Sequence, residues 1–311
     1  MKLLVINNLN SGLHDGAIFE FLRKFARDGD EVALRCTDGT TSVESLLDDA
    51  TAFDMVVAAG GDGTIATVCY ALRYTKIPIL PFPAGTGNLL AANLDQPDEP
   101  YAIATMTRNP HCLDFDLGEV IFADANHAST PVTKGFAIIA GAGYDATIIE
   151  SSEKLKESLG AAAYVAAALV KPNPTMAHFC ITLDDRTVEI DGIGVLIMNF
   201  AKISPDISIT HGNDARDGLL EVAVIKTHNA VELLPGIIAA LLDRDGGFPS
   251  RADAITSFTS RNVHIVADPP LHIQYDGETP GVTTPLSARV LPAATRLVLT
   301  KEEYRRLNEL G

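Results

Sequence analysis

The chain has 311 residues, is 47% hydrophobic and carries 24 basic against 40 acidic side chains, a net charge of −16. That length exceeds one comfortable core and predicts two domains, while the apolar fraction excludes wholesale disorder. The acidity argues against a nucleic-acid partner, which requires a basic patch, and against electrostatic anchoring on anionic lipid.

From the N-terminus, Leu3-Leu4-Val5-Ile6 is an apolar strand that gives way to Asn7-Asn8-Leu9-Asn10-Ser11-Gly12. Ile18, Phe21, Leu22 and Phe25 fall at i, i+3, i+4 and i+7, the spacing of an amphipathic helix. Glu31 to Cys36 is a second strand, Ser42 caps a short helix to Ala50, and Met55-Val56-Val57-Ala58-Ala59 is a third strand. Helix is expected from Thr64 to Leu72, strand over 77–81, helix from Thr86 to Asn93, and a further helix opening at Asp98 and ending near Arg108. This alternation implies a parallel sheet with helices on both faces.

Beyond about residue 125 the pattern turns to strands: Lys134–Ala140, Met176–Leu183, Ile193–Phe200, Leu219–Lys226, Asn262–Ala267 and Leu271–Tyr275. Two long helices, over 146–171 and 229–243, interrupt them. The expected architecture is therefore an α/β N-terminal domain, 1–124, followed by a mainly antiparallel β-sandwich, 125–294, with 295–311 packing back on the first domain.

Four cysteines, Cys36, Cys69, Cys112 and Cys180, lack metal-ligand spacing and read as buried, reduced thiols of a cytoplasmic protein. No secretion signal follows Met1-Lys2, and the longest apolar run, Ala161 to Val170, is about half a membrane span, so a soluble protein is expected.

Three strand ends finish in loops rich in Gly, Asn, Ser and Thr that precede helices: 7–12, Gly60-Gly61-Asp62-Gly63-Thr64, and Pro83-Ala84-Gly85-Thr86-Gly87-Asn88. Glycine lets main-chain N–H groups approach an anion, and a helix N-terminus adds a favourable dipole. Each loop alone reads as a turn; three together point to a nucleotide site at the carboxyl ends of a parallel sheet. No G-x-x-x-x-G-K-[ST] occurs, so there is no P-loop lysine. Zinc hydrolysis and serine hydrolysis have no motif support either.

The second domain carries two acidic groupings. Asp214 and Asp217, with nearby carbonyls, suit a hard cation such as Mg²⁺, or simply form an Asp-Gly turn. Tyr275-Asp276-Gly277-Glu278 ends a strand with paired acids that serve either as a general base or as a hairpin turn. Gly141-Ala142-Gly143 precedes Tyr144-Asp145-Ala146 and is explained equally by tight strand–helix packing.

In order, these segments resemble the diacylglycerol kinase catalytic-domain family, which includes sphingosine kinases and soluble bacterial lipid kinases. Asn8-Leu9-Asn10-Ser11-Gly12 is similar to N-P-x-S-G, residues 60–64 to G-G-D-G-T, and Pro83–Asn88 to P-x-G-T-x-N. Asp116 falls at the family's acid ending the first domain, Gly143–Ala146 resembles G-x-D-A, Asp217–Val222 resembles D-G-x-x-x-V, and Asp276–Glu278 resembles D-G-E. Leu9, Ala66 and Leu89 depart from the pattern.

The resemblance implies an ATP-dependent kinase acting on a lipid hydroxyl, with ATP between two domains. It assigns nucleotide contacts to Asn8, Ser11, Thr37, Gly61, Asp62, Gly63, Thr64, Thr86, Gly87 and Asn88. It assigns Mg²⁺ to Asp214, Asp217, the carbonyl of Leu219 and Asp116, with Asp62 and Asp116 in one Asp–water–Mg²⁺ network. Glu278 becomes the proton acceptor assisted by Asp276, with Asp62 also catalytic, and Asp145 falls to the substrate. The implied partners are a lipid alcohol and a transient membrane contact; a homodimer is compatible. An acyl pocket is expected in the β domain; the Ala-rich helix from Leu159 to Val170 either borders it or, as the favoured reading, is ordinary core packing. Two other readings remain: an NAD kinase-like enzyme, and a nucleotide-sensing protein without turnover.

Overall fold

The computed structural model describes residues 1–11, 16–124, 130–143, 174–204, 207–208, 213–226 and 255–309. The expected helices over 146–171 and 229–243, the Ala-rich segment 159–170 and Asp145 lie outside the described residues. The chain divides into two compact units, Met1–Leu117 with Pro292–Gly311, and Gly118–Leu291.

The first unit is built on a parallel sheet. Its strands are β1 (Lys2–Asn8), β2 (Glu31–Thr37), β3 (Met55–Gly60) and β4 (Pro78–Pro83), in the order β2-β1-β3-β4. The last residues of a long C-terminal strand extend it, with Arg296 and Leu297 paired parallel to Pro78 and Ile79. Strand β3 is buried throughout, as expected of a central strand covered on both faces. One face carries α1 (Ala17–Phe25) and α4 (Pro100–Arg108), where Phe21 and Phe25 join Leu3, Val5, Val57 and Phe82 in one core. The alternate residues Leu4, Ile6, Val56 and Ala58 are equally buried, and α2 (Asp62–Ala71) follows directly from β3. Among the described residues the other α-helices are α3 (Leu89–Asn93) and α5 (Lys301–Glu309).

Two helix starts differ from expectation. Glu99, not Asp98, caps α4: its carboxylate accepts the Ala102 N–H at 3.0 Å, with Pro100 in the first turn. Helix α3 begins at Leu89 rather than Thr86, because Asn88 stands in the left-handed region (φ 49°) and ties back to Gly85. The short helix after Ser42 is two 3₁₀ turns, Glu44–Leu47 and Ala50–Ala52.

The second unit is a sandwich of antiparallel sheets. One contains β7 (Ile139–Gly143), β10 (Gly194–Met198), β13 (Leu220–Ile225), β14 (Ile255–Ser260) and β16 (Ile273–Tyr275), ordered β14-β13-β10-β7-β16. The other is formed by β8 (Ala177–Leu183), β9 (Arg186–Gly192), β15 (Asn262–Asp268) and the first part of β17 (Leu286–Leu299), with the hairpin of β5 (His111–Ala123) and β6 (Pro131–Phe136). Strands β11 (Lys202–Ser204) and β12 (Ile207–Ser208) form a separate pair. Phe122, Phe136, Phe179, Ile181 and Ile265 from one layer meet Ala140, Val195, Ile197, Val222 and Ile273 from the other in one core. Residues 134–140, expected as one strand, split into β6 and β7 at Ala137 and Ile138. Among the described residues no helix is long and apolar enough to cross a membrane.

Phe21 is fully buried, stacked on Phe25 and edge-on to Phe82, whereas Phe19 on the same helix is 58% exposed. Phe21→Ala should lower unfolding stability by about 3–5 kcal/mol, and Phe19→Ala by less than about 0.5 kcal/mol. Paired urea titrations measure both; equal midpoints would contradict the packing described.

Candidate active site

Parallel register brings the loop-bearing strand ends of the first unit to one edge. Asn8 lies beside Thr37, Asn7 beside Ala59, and Gly60 beside Pro83. The three loops that leave this edge are tied together. Asn8 Nδ2 donates to Thr64 Oγ1 at 2.8 Å, and the Gly61 N–H donates to Ser11 Oγ at 3.2 Å. The Asp62 carboxylate accepts the Leu89 N–H at 3.0 Å on one oxygen and the Leu90 N–H at 2.9 Å on the other, so an acid in the first turn of α2 caps α3.

The loop before α3 closes on itself: the Gly85 N–H donates to Asn88 Oδ1 and Asn88 Nδ2 donates to the Gly85 carbonyl, both at 2.8 Å. Gly85 lies so close to Gly61 that an added Cβ would sit 2.4 Å from the Gly61 Cα. The family resemblance assigns nucleotide contacts to Thr86, Gly87 and Asn88 but not to Gly85, whose role in the structure is this close approach to Gly61. Thr86 and Gly87 are exposed. Thr37 is buried, and its hydroxyl donates to the Thr41 carbonyl at 2.6 Å. Asp116 is 2% exposed and accepts the Ala293 N–H at 2.7 Å, where β17 passes through φ 47°.

In the second unit the acidic groupings share one end of a sheet. Glu221 of β13 opposes Met198 of β10, Met198 opposes Ile139 of β7, and Ala140 opposes Tyr275 of β16. The 214–219 loop and the 276–278 turn therefore leave the same edge, three strand spacings or ~14 Å apart. Asp276 (φ 42°) and Gly277 (φ 86°) form a two-residue hairpin turn closed by the Glu278 N–H on the Tyr275 carbonyl at 2.8 Å.

The Asp276 carboxylate accepts the N–H groups of Ala137 (2.6 Å), Ile138 (3.0 Å) and Ile139 (3.0 Å). Those amides are withdrawn from any ladder, which is why β6 and β7 separate there. Asp276 is thereby an anchor of the turn, while the neighbouring Glu278 is exposed. Burial pushes the Tyr275 hydroxyl above its ordinary range, with the Glu278 and Asp276 charges adding to the rise.

Arg216 holds both oxygens of Asp214, at 3.0 and 3.1 Å, and the Leu219 N–H donates to Asp217 Oδ1 at 2.8 Å. Partial desolvation pushes the Asp217 carboxyl upward, the Leu219 N–H opposes the shift, and the Asp214 charge adds to it. Among the described residues no three His, Cys, Asp or Glu side chains converge as ligands for one metal ion. The oxygen-only donor set of Asp214, Asp217 and the Leu219 carbonyl fits Mg²⁺ in kind, with Arg216 as a competitor for Asp214.

Residues 2–120 match the model of the diacylglycerol kinase catalytic domain, and residues 138–299 match that of the YegS C-terminal NAD kinase beta sandwich-like domain. An uncharacterized protein of Synechocystis sp. is 27% identical over 78% of this chain, which spans only 54% of that protein. The probable lipid kinase YegS-like of Pectobacterium atrosepticum is 27% identical over 94% of both chains. The crystal structure of a diacylglycerol kinase from Bacillus anthracis shares the fold with a TM-score of 0.68 at 18% identity, covering 97% of each chain.

Because the Gly85 Cβ position is occupied by main chain, Gly85→Ala should destabilise the protein by about 1–3 kcal/mol, while Thr86→Ala leaves stability within about 0.5 kcal/mol. Urea midpoints measure the difference, and a neutral Gly85→Ala would refute the close approach of the two loops.

Proposed function

The chain belongs to the lipid-kinase family that joins a diacylglycerol kinase catalytic domain to a YegS-type C-terminal domain, and from that membership we propose an ATP- and Mg²⁺-dependent kinase that phosphorylates the hydroxyl of diacylglycerol or a similar lipid alcohol. The observation that carries the reading is the meeting of three glycine- and asparagine-bearing loops at one edge of a parallel sheet, tied together by Asn8, Ser11 and Asp62. Such an edge presents main-chain donors to an anion without a lysine.

In this reading Asn8, Ser11, Thr37, Gly61, Gly63, Thr64, Thr86, Gly87 and Asn88 bind the nucleotide, and Asp62 holds the two loops that do so in register. Asp214, Asp217 and the Leu219 carbonyl hold Mg²⁺. When bound, the ion supplies charge neutralisation at the phosphates. Glu278 takes the proton from the lipid hydroxyl as that oxygen bonds to the γ-phosphorus and the bond to the β-phosphate oxygen breaks, releasing ADP. Asp276 fixes the turn that carries Glu278. Phosphoryl transfer relies chiefly on positioning and charge stabilisation, which dipoles and an exposed carboxylate can provide. In this reading the enzyme works in the cytoplasm and makes transient contact with the membrane surface that holds its lipid substrate.

The NAD kinase likeness in the description of the second matched domain keeps one competitor in view. Labelled ATP offered with diacylglycerol, a sphingoid base and NAD in parallel separates the readings. Phosphate should appear in a lipid product, vanish on removal of divalent cations with a chelator, and fall at least about 100-fold in Glu278→Gln. Label in NAD alone, or full turnover by Glu278→Gln, would overturn the assignment.

A further inference from the structure

Residues 137–139 are held from both sides. Their three N–H groups go to the Asp276 carboxylate. On the opposite side the Ala137 carbonyl accepts Asn199 Nδ2 at 2.9 Å, and the Ile138 carbonyl accepts the Asn199 N–H at 2.8 Å and the Phe200 N–H at 3.2 Å. The Ile139 carbonyl accepts the Asp276 N–H at 2.8 Å. Every main-chain polar group of the three residues is thus satisfied, though β6 has ended and β7 has barely begun.

We infer that Asn199 is a positioning residue for Glu278, acting through residues 137–139 and Asp276; the inference rests on the reading of Glu278 as proton acceptor. Asn199 is 0% exposed and immediately follows β10, whose last residue, Met198, opposes both Ile139 and Glu221. It therefore stands between the strand entered from the 214–219 loop and the segment that grips the Asp276 turn. Only a side chain carrying an N–H or O–H donor can satisfy the Ala137 carbonyl, and the amide of Asn199 reaches it at 2.9 Å. Leucine would leave that carbonyl buried and unpaired, and aspartate would set an acceptor against it.

The consequence lies in the turn. Asp276 is in the left-handed region, which L residues rarely adopt, and three charge-assisted amide bonds hold it there. If residues 137–139 shift, the amides no longer converge on one carboxylate, and the turn that carries Glu278, two residues on, loses its anchor. A residue filling only a core position would change stability alone. A positioning residue changes turnover at constant nucleotide affinity.

Asn199→Leu and Asn199→Ser, which keeps a short donor, are compared with the wild type by steady-state kinetics and amide hydrogen exchange. For Asn199→Leu, kcat should fall about tenfold with KM for ATP within about twofold, and Asn199→Ser should fall between it and the wild type. The amides of Gly277 and Glu278 should exchange about tenfold faster while those of α2 stay unchanged. Should Asn199→Leu fail to fold, Asn199→Ser supplies the same comparison, and the wild type alone must protect the Ala137, Ile138 and Ile139 amides as strongly as those of β10. Unchanged kcat in a folded Asn199→Leu, acceleration spread evenly over both units, or unprotected wild-type amides at 137–139 overturn the inference alone. A wild type inert toward every lipid alcohol overturns instead the kinase reading on which it rests.

Discussion

The carboxylate of Asp62 reaches from the first turn of α2 to the amides that open α3, and the glycine loops keep their mutual geometry through that contact. A loop with glycine at its tip has many conformations in isolation, and fixing them is entropically expensive. Here one charged acceptor ends two of those freedoms at once, since both of its oxygens are bonded to main chain that lies 27 and 28 residues downstream. The close approach of Gly85 to Gly61 accompanies that contact. Asp276 does the same physical work in the second unit by gathering the amides of Ala137, Ile138 and Ile139.

This use of acids suits a chain with a net charge of −16. The nucleotide of the proposed function is itself a multiple anion, and such a surface could hold it only where oriented main-chain dipoles outweigh the repulsive background at short range. Carboxylates already engaged by amides or by Arg216 project less bare negative charge than their number suggests. Glu278, exposed on its turn, differs from Asp276 beside it in this respect. Of these two acids, one is engaged by main chain and the other is the proton acceptor in the proposed function.

Much of the architecture was legible because hydrophobic periodicity reports burial. The run from Met55 to Ala59 reads as a central strand, and Ile18, Phe21 and Phe25 read as a helix face; both are so in the structure. Strands that combine burial with charge escaped. Strand β5 carries Asp114, Asp116 and Glu119, which break the apolar pattern and are satisfied by Lys76 and Arg296, the Ala293 N–H, and Arg289 respectively. Strands β9 and β14 have polar residues over much of their length and gave too weak an alternation. The G-G-D-G-T and D-G-E segments stood out as spacings of glycine and acid. What each acid touches was not legible, because the partners of Asp62 and Asp276 are backbone amides, and any residue other than proline supplies one. Asn199 was hidden for a related reason: a single buried asparagine after an apolar strand has no spacing to announce it.

In the proposed function, main-chain amides at the carboxyl edge of the first unit's sheet receive the triphosphate. Amide NMR of the labelled full chain, titrated with a non-hydrolysable ATP analogue and Mg²⁺, tests it most directly. The largest shifts should fall on Gly61, Gly63, Thr64 and Gly85 to Asn88, saturating together. Saturation with those amides unmoved, or no shift anywhere at millimolar nucleotide, would contradict it.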